Sequence, residues 1–153
     1  MRNKNKLLLE QLDQKLALFG EASNINVPAR GWINAIRTSL NMTMGQLATR
    51  LKISKGAIQK IEAREASRQI SLNKIIEVGN ALEMKFVYGF APKNGSLENL
   101  VNQRAEKIAT NIVLRTHQNM RLEDQGISDA KIAASIKELT EELKREMKKS
   151  LWD

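Results

Sequence analysis

The sequence predicts a mainly α-helical protein with one short β-strand. Hydrophobic residues make up 42% of the chain and aromatic residues only 4%, so a core must consist mostly of aliphatic side chains. Unbranched aliphatic side chains lose little rotamer freedom in a helix, which favours helices. Apolar residues recur at helical spacing in several stretches, and Ser or Thr precedes many of these stretches where a helix N-cap is expected. β-Branched and aromatic residues cluster only in "KFVYGF".

Residues 1–26 are predicted to form an N-terminal helix and a linker. Apolar residues recur there at helical spacing, and Gly20 is placed to end the helix; they are Leu8, Leu9, Leu12, Leu16 and Phe19. Polar residues interrupt this run, so no signal peptide is predicted. No apolar stretch approaches the roughly 20 residues of a membrane span, and we expect no membrane partner.

Residues 27–92 are predicted to form a compact helical unit that ends in a strand. Pro28 is placed to open the first helix. Thr43 and Gln46 form a capping-box pattern at the start of a short second helix. Ser54 and Ser71 are placed to cap the next two helices. The apolar residues expected to face inward from these helices are Trp32, Ile33, Ile36, Leu40, Leu47, Ala48, Leu51, Ala57, Ile58, Ile61, Leu72, Ile75, Ile76, Gly79 and Leu82.

The predicted strand needs a partner, because a single exposed strand leaves its backbone groups unpaired. Two copies of the chain can pair through this segment about a two-fold axis, which predicts a homodimer. Pairing within one chain is the alternative, but no second good strand is visible. The predicted dimer strand comprises Lys85, Phe86, Val87, Tyr88, Gly89 and Phe90.

Residues 93–153 are predicted to form a helical hairpin for dimerisation or partner binding. Ser96 is placed to cap a long helix that reaches about Leu122, and "EDQGIS" breaks it. A second helix follows with an apolar stripe from Ile132 to Met147. The stripes are wide enough for a bundle core, so internal packing of the hairpin remains the alternative to a partner surface.

The positive charge of the chain concentrates in its middle. The net charge is +8, from 25 Lys and Arg against 17 Asp and Glu. Residues 31–66 hold six basic and two acidic residues, which is half of the net charge in under a quarter of the chain. Residues 93–153 are nearly neutral. A basic balance is typical of proteins with an anionic partner, of which nucleic acid is the commonest.

The segment "TMGQLATRLKISKGAIQKIE" has the spacing of a helix-turn-helix. Two helices joined by a tight turn suit this motif, whose second helix lies in the major groove of DNA. An ordinary surface face of a helical bundle is the alternative. Lys is able to donate to guanine, and Gln to pair with adenine. The candidate DNA-binding residues are Thr43, Gln46, Ser54, Lys55, Gly56, Gln59, Lys60 and Arg64.

The stretch "MGQLATRLKISKGAIQKIEARE" resembles the phage-repressor-like helix-turn-helix family (XRE type) over about residues 31–83. The resemblance implies a phage-repressor-like bundle in which Arg37 of the first helix pairs with Glu62 late in the recognition helix. Such a pair makes physical sense, because either charge would be unfavourable alone on an inward-leaning face. Met44 departs from the family pattern, since that position often carries a polar phosphate-contacting residue.

A narrower resemblance covers about residues 28–153. The stretches "RGWINAIR", "KFVYGFAP", "SLENLV", "MRLEDQ" and "LWD" together resemble mobile mystery protein A. Members of that family are bacterial helix-turn-helix proteins paired with a Fic-domain protein, so the resemblance implies such a partner. The inhibitory motif carried by one class of Fic antitoxins, Ser/Thr-x-x-x-Glu-Gly/Asn, is absent from the sequence.

The sequence predicts no enzyme, no cofactor and no metal or catalytic site. There is no cysteine, which fits a cytosolic protein without disulfides. His117 is the only histidine, and a surface or packing role suits it better than a chemical one. No phosphate-binding glycine motif appears.

These observations together predict a cytoplasmic, nucleoid-associated, homodimeric repressor that binds a palindromic operator in its own operon. The Fic pairing adds an antitoxin-like role. The alternative is a protein-binding antitoxin that neutralises a Fic-domain protein by direct contact, with DNA binding secondary. A small effector bound by the hairpin is a third possibility, but no polar pocket is visible in the sequence.

Overall fold

The computed structural model describes residues 4–122 and 128–153, and the predicted mainly helical fold is confirmed over them. The helices are α1 (Lys4–Leu16), α2 (Trp32–Ser39), α3 (Met44–Leu51), α4 (Lys55–Ala66), α5 (Leu72–Ala81), α6 (Leu97–Leu122) and α7 (Asp129–Glu146). Short 3-10 turns cover Ala17–Phe19, Ala22–Asn24 and Lys149–Trp152. No helix in these two ranges is long and apolar enough to cross a membrane.

The described chain divides into two compact units. We call residues 24–88, with α2 to α5, the central unit. The terminal unit contains α1, α6 and α7 and joins the N-terminal segment to the described part of residues 89–153. The sequence predicted three parts and left the role of the N-terminal helix open, whereas the structure packs that helix with α6.

The core of the central unit is built from aliphatic side chains, as the composition requires. Leu47 of α3, Ile58 of α4 and Val78 of α5 are its largest fully buried residues. The cluster is completed by Ile33, Ala48, Ile61, Ile75 and Leu82. All eight of these residues except Val78 belong to the predicted inward faces.

Three helices of the central unit begin at the predicted N-caps. Thr43 and Gln46 form the predicted capping box: Gln46 N–H donates to Thr43 Oγ1 at 3.1 Å, and Thr43 N–H donates to Gln46 Oε1 at 2.8 Å. Ser54 accepts from the backbone of α4, and Ser71 accepts from the backbone of α5. Each cap satisfies a backbone N–H group that has no partner within its own helix.

The start of α2 differs from the prediction. Pro28 does not open the helix, because a turn intervenes in which Gly31 N–H donates to Pro28 O at 2.9 Å. The helix begins at Trp32, and the residue before it, Gly31, has φ +89° and makes no side-chain cap. A residue distant in sequence therefore has to satisfy the first N–H groups of α2.

The predicted strand over residues 85–90 is wrong for the single chain, since no strand is present in the described ranges. Met84 N–H closes α5 by donating to Gly79 O at 2.8 Å, and Phe86 then packs against the core. Phe86 and Tyr88 stack with ring centroids 5.8 Å apart. The side chains find contacts, but no described segment lies alongside to supply a hydrogen-bonded ladder, so the β-branched and aromatic pattern alone does not make a strand.

The terminal unit has a small core where Val101 and Ala105 of α6 meet Leu151. Leu9 of α1 packs against this cluster, together with Leu143 of α7. Arg104 donates from Nε to Leu151 O at 2.6 Å and from Nη2 to Asp153 O, which fixes the last 3-10 turn on α6.

Asp13 of α1 caps the N-terminus of α6. Leu97 N–H donates to Asp13 Oδ1 at 2.7 Å, and Glu98 N–H donates to Oδ2 at 3.1 Å. The predicted cap Ser96 is also present and accepts from Asn99 N–H at 3.0 Å. The predicted break between the hairpin helices falls largely on residues 123–127, which lie outside the described residues, as do parts of "MRLEDQ".

Candidate nucleic-acid interface

A three-residue turn joins α3 to α4. Lys52 adopts the left-handed conformation with φ +56°, and its N–H donates to Thr49 O at 3.2 Å. Ile53 N–H donates to Ala48 O at 3.0 Å, and its side chain packs against the core. This pattern is a Schellman-type helix end with its accompanying apolar contact, and it turns the chain sharply into the cap Ser54.

The turn leaves α4 with an inner face and an outer face. Ile58, Ile61 and Glu62 are buried. The candidate DNA-binding residues within α4 are all exposed: Lys55, Gly56, Gln59, Lys60 and Arg64. This outer face carries amide and cationic donors and no acidic side chain.

Arg37 and Glu62 form the ion pair that the family resemblance implies. Arg37 Nε lies 2.7 Å from Glu62 Oε1, and Nη2 donates to Oε2 at 3.3 Å. The remaining terminal nitrogen, Nη1, donates to Met42 O at 2.9 Å. The two side chains are only 9% and 7% exposed, so the pair ties the last turn of α2 to α4 inside the domain.

Glu65 makes a second link between α4 and α2, and sequence reasoning missed it. Trp32 N–H donates to Glu65 Oε2 at 2.6 Å, and Ile33 N–H donates to Oε1 at 2.7 Å. One carboxylate thus satisfies the first two N–H groups of α2, which explains how that helix begins without a local cap. The only sequence signal is the missing Ser, Thr, Asp or Asn before Trp32.

Thr43 and Gln46 lie exposed at the start of α3, where the capping box holds both side chains. Each uses an oxygen as the acceptor, so the Thr43 hydroxyl proton and the Gln46 amide NH₂ remain as donors. Donors are what phosphate oxygens require. Met44 departs from the polar family pattern because its side chain packs against the core cluster.

Gly56 is not required by the packing of α4. An added Cβ would have Ser54 Oγ, at 4.0 Å, as its nearest neighbour. The protein itself therefore has room for a side chain there. A glycine at this exposed position leaves the backbone of the first turn open to close approach by a ligand.

The basic residues of this region are not equivalent. Arg50 Nη1 donates to Ala81 O at 3.2 Å and lies 3.7 Å from Glu83 Oε2, so this guanidinium is held on the protein surface. Lys55, Lys60 and Arg64 form no ion pair with any residue in the described ranges. Their charge is available to an anionic partner.

Comparison with protein families supplies the deciding observation. Residues 33–88 match the helix-turn-helix family model. The central unit is a helix-turn-helix domain. Such a domain is typical of DNA-binding transcription regulators, and α4 occupies the place of the second helix of the motif, which in these domains is the recognition helix. The terminal unit lies entirely outside the match.

Comparisons with curated proteins and with solved structures gave no match. The described residues also contain no group of His, Cys, Asp or Glu side chains that would hold a metal ion. The helix-turn-helix domain is therefore the feature from which a function is argued.

Proposed function

We propose that the protein is a sequence-specific DNA-binding repressor of its own operon that acts by binding rather than by catalysis. The observation that carries the proposal is the outer face of α4, where Lys55, Lys60 and Arg64 have no acidic partner among the described residues. Three unpaired cations on the recognition helix suit a polyanion better than they suit a buried protein interface, whose core is depleted of charge.

Recognition begins at the N-terminal half of α4, which enters the major groove. Gln59 is the side chain suited to bidentate pairing with adenine, and Lys55 and Lys60 are suited to guanine O6 and N7. Arg64, one turn beyond Lys60, reaches the phosphate backbone. The donors of Thr43 and Gln46 at the start of α3 bind a phosphate, which fixes how the domain sits on the duplex.

The protein is proposed to bind a palindromic operator as a homodimer. A groove of about 330 Å³ in the central unit is lined by apolar residues of α2, α5 and the segment after α5, among them Trp32, Ile75 and Met84. Next to it, Val87 and Tyr88 are 67% and 63% exposed. The backbone of residues 85–88 makes no hydrogen bond to the described chain. A second copy would cover the apolar side chains and pair the free backbone groups about a two-fold axis.

The direct test is an electrophoretic shift with the DNA upstream of the protein's own gene. We expect a specific complex whose affinity falls steeply with salt, because bound phosphates release counterions. Scrambled DNA of equal length and composition is the control. Equal affinity for the scrambled DNA would overturn the proposal of a sequence-specific repressor.

A Fic-domain partner is proposed on the resemblance to mobile mystery protein A. Direct neutralisation of that partner is the second candidate function, and the terminal unit offers one observation in its favour. Several of its large apolar residues are exposed, among them Leu8, Leu12 and Ile112. Co-expression with the product of the neighbouring gene, followed by size-exclusion chromatography, separates the two functions. Separate elution would rule out stable neutralisation by contact.

A further inference from the structure

Three attachments hold the recognition helix α4 within its domain. The tight turn at Lys52–Ser54 fixes its N-terminal end to α3. The Arg37–Glu62 pair fixes its middle to α2. Glu65 fixes its last turn to the beginning of α2. The third attachment is the one that the helix-turn-helix motif does not predict, and it also supplies the acceptors that the beginning of α2 lacks locally.

The geometry around Glu65 is closely fitted. Both carboxylate oxygens accept backbone N–H groups of α2, at 2.6 and 2.7 Å. Gly31 is buried beside them, and a Cβ added at Gly31 would lie 2.6 Å from the Glu65 carboxylate. Gly31 also has φ +89°, where an L side chain is strained. A glycine thus makes the room that the carboxylate occupies.

The attachment also determines where the charges of Arg64 and Glu65 lie. Glu65 follows Arg64 directly, yet its carboxylate is turned towards the N-terminus of α2, where the helix dipole favours a negative charge. The Arg64 side chain is left exposed and has no acidic partner among the described residues. The last turn of α4 therefore presents a cation outward, while its half-buried carboxylate is bonded to the beginning of α2.

We propose that Glu65 is a positioning residue for DNA recognition: by binding Trp32 N–H and Ile33 N–H it sets the angle of α4, so that Lys60 and Arg64 engage the same site as Lys55. This inference rests on the proposed function as a sequence-specific DNA reader. Base contacts depend steeply on distance and angle, whereas phosphate contacts tolerate small displacements. Loss of the attachment therefore lowers discrimination between operator and other DNA more than it lowers affinity for DNA in general.

The test measures the ratio of affinities for operator and scrambled DNA in full-length variants. We expect Glu65→Ala to reduce this ratio about tenfold or more, on the scale of one lost base contact. Glu65→Gln keeps one acceptor oxygen and should recover part of the ratio. Gly31→Ala should act like Glu65→Ala, because its methyl group displaces the carboxylate.

Two control variants separate positioning from charge and from stability. Glu77→Ala removes an exposed carboxylate of the same unit, so it matches the change in net charge. Val78→Ala weakens the core at a residue that lines neither the apolar groove nor the attachment between α2 and α4. Both should leave the ratio within about twofold of the wild-type value, on the scale of their small expected effects on the interface.

The possible outcomes are distinct. If the wild-type protein does not discriminate between the two DNAs, the proposed function and this inference both fail. If the wild-type protein discriminates and Glu65→Ala discriminates equally well, only the inference fails. If Glu65→Ala does not fold, Glu65→Gln decides: a ratio equal to the wild-type value, while one of the Trp32 and Ile33 amides exchanges faster than in the wild type, overturns the positioning role.

Discussion

At the scale of single residues, the Arg37–Glu62 pair shows how a helix-turn-helix domain keeps two charges in its interior. Removing charged groups from water costs several kcal/mol per ion, so a buried pair is tolerable only when its hydrogen bonds are also satisfied. Here Arg37 reaches both Glu62 oxygens and the Met42 carbonyl. The pair therefore stabilises the central unit less than its short N–O distance suggests. Loss of either partner, however, strongly destabilises the unit, because the other charge is left buried and unpaired.

Replacing Arg37 with Ala should destabilise the central unit by about 3–5 kcal/mol, because Glu62 is left buried and unpaired. Trp32 fluorescence during urea unfolding measures this, in a Trp152→Phe background that leaves one tryptophan as the reporter. The exposed pair of Lys74 and Glu77 is the control, and Lys74→Ala should cost less than about 1 kcal/mol. A similar loss from both variants would contradict the burial argument.

The outer residues of α4 should separate into two classes by their effect on DNA binding. Gln59→Ala should weaken operator binding by about 1–3 kcal/mol and leave binding to scrambled DNA unchanged, because it loses a base contact. Arg64→Ala should weaken both complexes similarly and reduce the salt dependence, because it loses a phosphate contact. Titrations at several salt concentrations measure both effects. The assignment fails if the two variants behave alike.

Residue-scale prediction from the sequence succeeded where the signal was local or shared with a family. The capping box of Thr43 and Gln46 lies within four residues, and the Arg37–Glu62 pair comes with the family pattern. Glu65 was missed because its partners are 32 and 33 residues away and are backbone groups. A backbone N–H donor is present whatever the side chain of its residue, so no sequence pattern predicts this contact.

At the scale of helices, the C-terminal ends in the central unit are marked by left-handed backbone conformations. Four turns of the central unit place non-glycine residues in the left-handed conformation, at Asn41, Lys52, Arg68 and Glu83. The next N–H then bonds back into the helix; for example, Gln69 N–H donates to Arg64 O at 2.8 Å. An L side chain in this conformation costs roughly 1–2 kcal/mol, so these ends carry stored strain.

Arg68→Gly should raise the stability of the central unit by about 0.5–1 kcal/mol, because the relieved strain exceeds the extra chain entropy of glycine. Arg68→Ala removes the same charge and keeps the Cβ, so it serves as the matched control and should not stabilise. Urea midpoints from Trp32 fluorescence compare the two. Equal stability of the Gly and Ala variants would rule out strain at this turn.

Asp13 should prove as important to the terminal unit as a local helix cap. Asp13→Ala leaves Leu97 N–H and Glu98 N–H without acceptors and should destabilise that unit by about 1–2 kcal/mol. Faster hydrogen exchange at these two amides reports the loss directly. Glu10→Ala, at an exposed position of the same helix, is the control and should leave both amides protected.

The helices were predictable because their N-caps and apolar faces follow short sequence patterns. Their ends were less so, since Lys52, Arg68 and Glu83 stand where glycine is the usual signal. The strand was wrong because Phe86 and Tyr88 satisfy a β pattern with side-chain packing alone. Strand formation depends on a neighbouring strand that pairs with its backbone, and the sequence of the segment itself does not specify that neighbour.

At the scale of the whole molecule, the exposed segment after α5 bears on the oligomeric state. We expect sedimentation equilibrium to show a concentration-dependent dimer, because Val87 and Tyr88 lie open beside an apolar groove. Val87→Asp places a charge in the proposed contact and should weaken the dimer at least about tenfold. Leu18→Asp changes an apolar residue of the terminal unit that is 83% exposed, more than Val87, and is the control. A monomer at all concentrations would refute the dimer.

The division of α4 into two faces also bears on protein engineering. Four residues tie the helix to its domain: Ile58, Ile61, Glu62 and Glu65. The exposed residues between Lys55 and Arg64 make no contact on which the fold of the central unit depends. The recognition surface of another helix-turn-helix protein could therefore be grafted by exchanging only the exposed positions. Grafts that also exchange Glu65 would hold the recognition helix at a different angle to the new operator. A library that varies Glu65 would therefore reject variants whose base-contacting residues are suitable, because their helix is wrongly oriented.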